Sequence, residues 1–198
     1  IEALIKSRVD GAVIYGAKLA EAEIQELRKY SIPIVLIGNK VHMDNVCSVY
    51  VDIEKAVFEL CMKYLEEGKK RIAILEDRKN MASSQQMVQG AQDAYKKKGM
   101  KFNGYLRIPP ETRPSYAYLQ KWLKDHRYDL VIGNRDSQAM AIINAAREND
   151  ISVPEEMEVV CVLDTKYNTI MRPQVSSFSI PSYDLGAVSM RMMTKMLQ

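Results

Sequence analysis

LVIGNRDSQAMAIINAARENDISVPEEMEVVCV, residues 130–162, holds one complete round of the pattern that decides the fold. It opens on Leu130-Val131-Ile132, a short apolar run of the kind a strand covered on both faces presents. Asp136 reads as the cap of a helix in which Ala139, Met140, Ile143 and Ala146 recur at helical spacing. A second β-branched run, 159–162, closes the segment. Strand, helix and strand in this order predict a parallel βαβ unit, because parallel strands need a crossover long enough to hold a helix.

The same alternation recurs on both sides of this stretch. Residues 71–75 read as a strand, and Ser83 or Ser84 as the cap of a helix carrying Met87, Val88, Ala91 and Tyr95 and ended by Gly99. Residues 105–108 read as a strand broken by Pro109-Pro110, and Ser115 opens a helix with Leu119, Trp122 and Leu123. Upstream, Asp52 is a good N-cap for a helix through Ile53, Val57, Leu60 and Tyr64, with Gly68 as its stop. Val13-Ile14-Tyr15, 32–37 and 46–51 read as extended runs, with a helix over 21–30 placing Ile24 and Leu27 on one face. Downstream, Ser182 caps a helix with Leu185, Val188, Met192 and Met196. The expected class is therefore α/β, with parallel sheets flanked by helices. Residues 171–182 contain Pro173 and Pro181 and lack helical period, so they read as an extended crossover. With 46–52 as a second crossover, they predict two lobes.

Composition narrows the function classes. The chain has 198 residues, 47% hydrophobic and 27% charged, which is ordinary for a globular protein able to bury one large core or two small ones. Net charge is only +3, and the clusters Lys69-Lys70-Arg71 and Lys96-Lys97-Lys98 sit at helix ends, where cations complement the dipole. Nothing here predicts a nucleic-acid-wrapping surface. Cys47, Cys61 and Cys161 lie in apolar runs without CxxC spacing, so they are expected as buried, reduced thiols of a cytoplasmic protein. His42 and His126 are isolated and expected at the surface. No apolar stretch reaches membrane-span length and no signal peptide is read; the chain opens on Ile1 in mid-pattern, as a fragment does. No glycine-rich phosphate loop follows a strand, and Glu76-Asp77 and Glu155-Glu156 are neighbours that rarely converge on one reacting atom. No nucleophile elbow or Cys/His dyad appears, so no enzyme, metal or cofactor is expected.

Several segments carry a resemblance. They include LIKSRVDGAVI at 4–14, Ile32-Pro33-Ile34-Val35-Leu36-Ile37, and Val49 with Asp52. Leu65, Gly68 and 69–73 follow, then Gly90 with Ala94 and Lys97-Lys98-Gly99, then Asp136, Ala139 and Met140. Val153-Pro154-Glu155-Glu156 leads into 159–164, and Pro173, Ser176, Ser177, Pro181 and Leu185-Gly186 complete the series. In this order and spacing they resemble the effector domain of LacI/GalR-type transcription regulators over essentially the whole chain. The resemblance implies a two-lobed, periplasmic-binding-protein-like type I fold whose lobes are joined by crossover strands. Lobe 1 would be 1–50 plus 178–198, incomplete, and lobe 2 would be 51–177.

The same resemblance implies a small-molecule effector held between the lobes, a homodimer, and operator DNA read by a headpiece outside this chain, with no membrane association. Carried over residue by residue, the effector-binding positions are Gly38, Asn39, Ser83, Met87, Arg135, Asp136 and Leu163. Three depart from the family pattern: Met87 stands where an arginine is common, Arg135 at an asparagine and Leu163 at an aspartate. Arginine and aspartate clamp hydroxyls and carboxylates, which Met87 and Leu163 cannot do. They are read either as a rewritten cleft wall or as core residues, and Arg135 either as an anion-favouring group or as a solvated cation. Met190, Met192, Met193 and Met196 are read as a dimer face, with core packing as the other reading. Two alternatives stand beside this one: a solute-binding receptor of periplasmic type, and a regulator controlled by a partner protein with a vestigial cleft.

Overall fold

The computed structural model describes residues 9–15, 21–27, 32–41, 43–76 and 82–198. The readings at 4–8, 28–30, His42 and Asp77 lie outside the described residues. The chain divides into two compact units, Ile1–Val51 with Pro181–Gln198, and Asp52–Ile180.

The first unit holds β1 (Ala12–Tyr15), α1 (Glu21–Leu27), β2 (Ile34–Ile37) and β3 (Val46–Val49). The strands form a parallel sheet in the order β1-β2-β3, with Val13 opposite Val35 and Val35 opposite Cys47. Every residue of the central β2 is buried, as a middle strand of a covered parallel sheet must be. Directly after it, Gly38 takes φ 87°, a left-handed turn that favours glycine, and donates its N–H to the Val49 carbonyl at 2.9 Å. The C-terminal helix of this unit (Ser182–Met196) packs on the sheet through Met193, which is buried, while Met190 is 57% exposed. The methionines thus divide between core and surface.

The second unit contains α2 (Ile53–Glu66), β4 (Ile72–Glu76), α3 (Ala82–Lys97), β5 (Tyr105–Arg107), α4 (Thr112–Asp125), β6 (Leu130–Gly133), α5 (Asp136–Arg147), β7 (Glu158–Cys161), α6 (Lys166–Ile170) and β8 (Ser176–Ser177). We label the C-terminal helix Ser182–Met196 of the first unit α7. The five strands are all parallel, in the order β5-β4-β6-β7-β8. Strand side chains alternate between two separate cores, as the two-residue period requires. Ala73, Leu75, Val131, Val159 and Cys161 pack with Leu119, Leu123 and Ile142 of α4 and α5. Ile72, Ile74, Leu130, Ile132, Val160 and Val162 pack with Val57, Cys61, Met87 and Ala91 of α2 and α3. Helices α2 and α3 meet closely at Gly90, where an added Cβ would lie 2.3 Å from the Glu54 carbonyl oxygen.

Asp52 does cap α2, its Oδ1 accepting from the Lys55 N–H at 3.0 Å. Four other cap readings are corrected. Ser83 and Ser84 lie inside the first turn of α3, and Ser115 lies inside α4, which begins at Thr112 after Glu111. Asp136 is the first residue of α5, after the cap Arg135, and Ser182 is the first of α7, after Pro181. A short polar side chain serves free amides nearly as well from the first turn as from the cap, and Asp136 does so, accepting from the Ser137 N–H at 2.6 Å. Cys61 and Cys161 are buried and free, whereas Cys47 is only partly buried because β3 borders an open groove.

Candidate functional site

In unit 2 the chain enters its sheet at β4, places β5 on one side, then crosses to β6 on the other. This is a topological switch point, and in open parallel sheets ligands bind outside the carboxyl ends of the strands at such a point. Three buried polar side chains of the unit, Asn134, Gln138 and Asn168, lie there.

Asn134 directly follows β6, is 3% exposed, and donates from Nδ2 to Ser83 Oγ at 3.0 Å. That bond ties the first turn of α3 to the end of β6. The Asn134 backbone is fixed in turn by Gln138, whose Oε1 accepts from the Asn134 N–H at 2.6 Å and the Arg135 N–H at 3.4 Å. Arg135, partly buried, caps α5 in an extended conformation. Asp136 accepts through Oδ2 from Thr165 Oγ1 at 2.9 Å, linking the start of α5 to the loop after β7.

Leu163 lies in that loop with its side chain 38% exposed. Its N–H donates to the Asn134 carbonyl at 3.2 Å and its carbonyl accepts from Asn168 Nδ2 at 2.7 Å. Asp164 Oδ1 accepts from Ser177 Oγ at 3.0 Å. The loops after β6 and β7 are thereby held against each other by hydrogen bonds rather than by apolar packing.

Of the positions expected from sequence, Ser83, Arg135, Asp136 and Leu163 therefore come to these strand ends. Met87 does not: it is fully buried in the core that α2 and α3 form with the sheet, which is the core-residue reading of that position. In unit 1, Gly38 and Asn39 stand at the carboxyl end of β2, Gly38 exposed and Asn39 buried. Sequence reasoning missed Asn134, Gln138, Thr165 and Asn168. Asn134 had a signal, since a polar residue ending a wholly apolar strand is the first group past the sheet. Gln138, four residues on and so one helical turn away, had none beyond that spacing.

The arrangement offers hydroxyls, carboxamides, a guanidinium and a carboxylate, which suits reversible recognition of a polar molecule. The nearby thiol adds no nucleophile, because burial, with the Asp136 and Asp164 charges adding to it, pushes Cys161 up to about 11. Cys61 is pushed up to about 12 by burial alone. Among the described residues, no cluster of His, Cys, Asp and Glu could hold a metal ion, and no helix is long and apolar enough to cross a membrane.

Comparison with known proteins places this geometry. The sequence profile of the periplasmic binding protein-like domain matches residues 63–198. Catabolite control protein A of Staphylococcus epidermidis is 26% identical over 193 residues, covering 97% of this chain and 59% of that protein. The protein of the same name from Priestia megaterium is 28% identical over 203 residues, with the same coverage. This chain thus spans 59% of the length of these relatives. Among solved structures, a sugar-binding transcriptional regulator of the LacI family from Escherichia coli, complexed with phosphate, has a TM-score of 0.87 at 22% identity. That match covers 100% of this chain and 72% of the other. The transcription regulator CcpA of Lactococcus lactis has a TM-score of 0.76 at 25% identity, covering 99% and 73%. The chain belongs to the periplasmic binding protein-like domain family, in the form found as the effector-binding domain of LacI/GalR-type regulators.

Proposed function

We propose that this chain is the ligand-sensing part of a DNA-binding transcription regulator, and that a small polar effector is recognised at the strand ends of its units. The observation that carries the proposal is the contact between Asn134 and Ser83 at the switch point of the unit 2 sheet. A buried carboxamide and a hydroxyl locked to each other, on a backbone that Gln138 holds, form a preorganised polar wall that core packing does not require. Arg135 and Asp136 add charged groups beside it, and Gly38 and Asn39 are the corresponding strand-end residues of unit 1.

The regulators to which the chain is similar support this reading, including one complexed with phosphate and another, CelR, complexed with cellobiose. Operator DNA would be read by a headpiece outside this chain, in a homodimer, and the compartment implied is the cytoplasm. The effector acts by binding one conformation of the domain better than another, since equal affinity shifts nothing.

A thermal-shift screen of the chain against sugars, sugar phosphates, nucleosides and amino acids, followed by calorimetry, tests the proposal. At least one compound should stabilise the chain, and Asn134→Ala and Asp136→Asn should each weaken it by about 10-fold or more. Silence across the panel, or a ligand indifferent to both substitutions, would overturn it.

A further inference from the structure

Unit 2 carries a second cleft of about 250 Å³ beside β4 and β5, which reaches the carboxyl end of β4 but is lined by none of Ser83, Asn134, Arg135, Asp136, Gln138 or Leu163. Its walls are Glu76, Tyr105, Ser84 and three glutamines, Gln85, Gln89 and Gln92, with Val88 between them. The glutamines stand at i, i+4 and i+7 of α3, so they form one stripe along the helix, and all three are exposed. Solvated helix faces are usually rich in Lys and Glu; this one presents a row of carboxamides, each with a donor and an acceptor end. Gln89 Nε2 donates to Asp93 Oδ1 at 3.1 Å, which orients its amide.

The opposite wall is charged but balanced. Glu76 closes β4 with only 5% exposure, and its Oε2 accepts from Arg107 Nε at 3.3 Å. Arg107 in turn donates from Nη2 to the Tyr105 hydroxyl at 3.2 Å. The guanidinium offsets the carboxylate, so the cleft selects for hydrogen-bonding groups rather than net charge. Tyr105 is 40% exposed and offers a ring surface for C–H groups. Ser84 is 1% exposed and its Oγ has no hydrogen-bond partner among the described residues. A buried hydroxyl left in that state marks a place where a partner is missing.

We propose that this cleft binds a small uncharged polyol, one pyranose or cyclitol ring in size. Acceptors, donors and an aromatic ring around a neutral wall match a ring of hydroxyls with an apolar C–H face. The cleft falls just below the ~300–1,000 Å³ typical of sites for drug-sized ligands, which excludes larger oligosaccharides. The proposal stands independently of the effector reading above.

The test titrates the chain with myo-inositol and with methyl β-glucopyranoside, observing the glutamine side-chain amides by ¹⁵N-resolved NMR. The amides of Gln85, Gln89 and Gln92 should move saturably, with a Kd in the millimolar range for at least one probe. Gln92→Leu, an exposed helix position that leaves folding intact, should weaken binding about 10-fold or more, as should Glu76→Gln. Inorganic phosphate should not move the amides. The proposal is overturned if neither probe gives a saturable shift, if Gln92→Leu binds as the parent does, or if phosphate saturates the same amides.

Discussion

Met87→Arg places a charge at a position this chain buries completely. Met87 shares its core with Val57, Cys61, Ile74, Ala91 and Ile132, and none of these offers a hydrogen bond to a guanidinium. Losing the buried methionine alone costs about 2–5 kcal/mol by analogy with large-to-small core changes. A charge in the same place adds several kcal/mol, unless the arginine snorkels out and opens the packing between α2 and α3. A total of at least about 4 kcal/mol follows. At roughly 2–4 °C per kcal/mol for a chain of this size, that is a fall in Tm of about 8 °C or more.

The matched control is Leu163→Arg. Leu163 is 38% exposed at the strand ends, and a surface change of that kind stays within about 0.5 kcal/mol. Both variants are read by far-UV circular dichroism melts, with Met87→Ala as an intermediate step. A Met87→Arg protein melting within about 2 °C of the parent would refute the reasoning, because its side chain would then have to reach solvent at little cost.

Three further outcomes follow from particular contacts. Gly90→Ala should cost about 1–3 kcal/mol of stability, read as a lower urea midpoint, since its Cβ would meet the Glu54 carbonyl oxygen at 2.3 Å and a helix must move. Burial pushes the Asp129 carboxyl up, but hydrogen bonds from the Arg71 guanidinium at 2.6 Å and the Arg71 amide at 2.8 Å outweigh it and hold its pKa below the ordinary value. A depressed pKa contributes stability that is present above the unfolded value, about 4, and lost as pH falls through the folded one. Asp129→Asn should therefore destabilise the chain at neutral pH and scarcely at all near pH 2, as measured by urea denaturation at both. Met140, Tyr167 and Ile170 are 44, 45 and 65% exposed around a groove on α5 and α6, an apolar patch that suits the proposed homodimer. Ile170→Lys should convert dimer to monomer in sedimentation analysis, whereas a dimer lost only in Met190→Lys would move the interface to α7.

Much of the fold was legible because it rests on apolar period. The runs at 130–132 and 159–162 are wholly apolar since each strand faces a core on both sides, and the helices between them carry one apolar stripe each. What the pattern could not carry was short or polar. Helix α6 has five residues and shows no period, and β8, only Ser176 and Ser177, lies inside the stretch 171–182 that reads as a crossover. Helix starts were misplaced by one to three residues because serine and aspartate occupy first turns as readily as caps. At the candidate site, Ser83, Arg135, Asp136 and Leu163 were reached through resemblance. Asn134 and Gln138 were not: the role of Asn134 arises from a contact with a helix start far away in sequence, and Gln138 matters by fixing the Asn134 backbone.

That contact also bears on what kind of effector the strand ends can hold. A helix start normally offers free amides to an anion, which is the physical basis of many phosphate sites. Around the start of α5 most amides are already engaged: Gln138 takes the N–H groups of Asn134 and Arg135, and Asp136 takes that of Ser137. Asp136 further places a carboxylate beside the position an anion would occupy, held there by Thr165. An anionic effector, the class favoured by Arg135 alone, would have to rely on that one side chain and displace Gln138 to gain more. A neutral effector needs no such rearrangement, because the Ser83 hydroxyl, the Asn134 carboxamide and the Asp136 carboxylate are suited to hydroxyls as they stand. The polar wall that makes the site recognisable therefore shifts its expected ligand from a phosphate toward an uncharged, hydroxyl-bearing molecule.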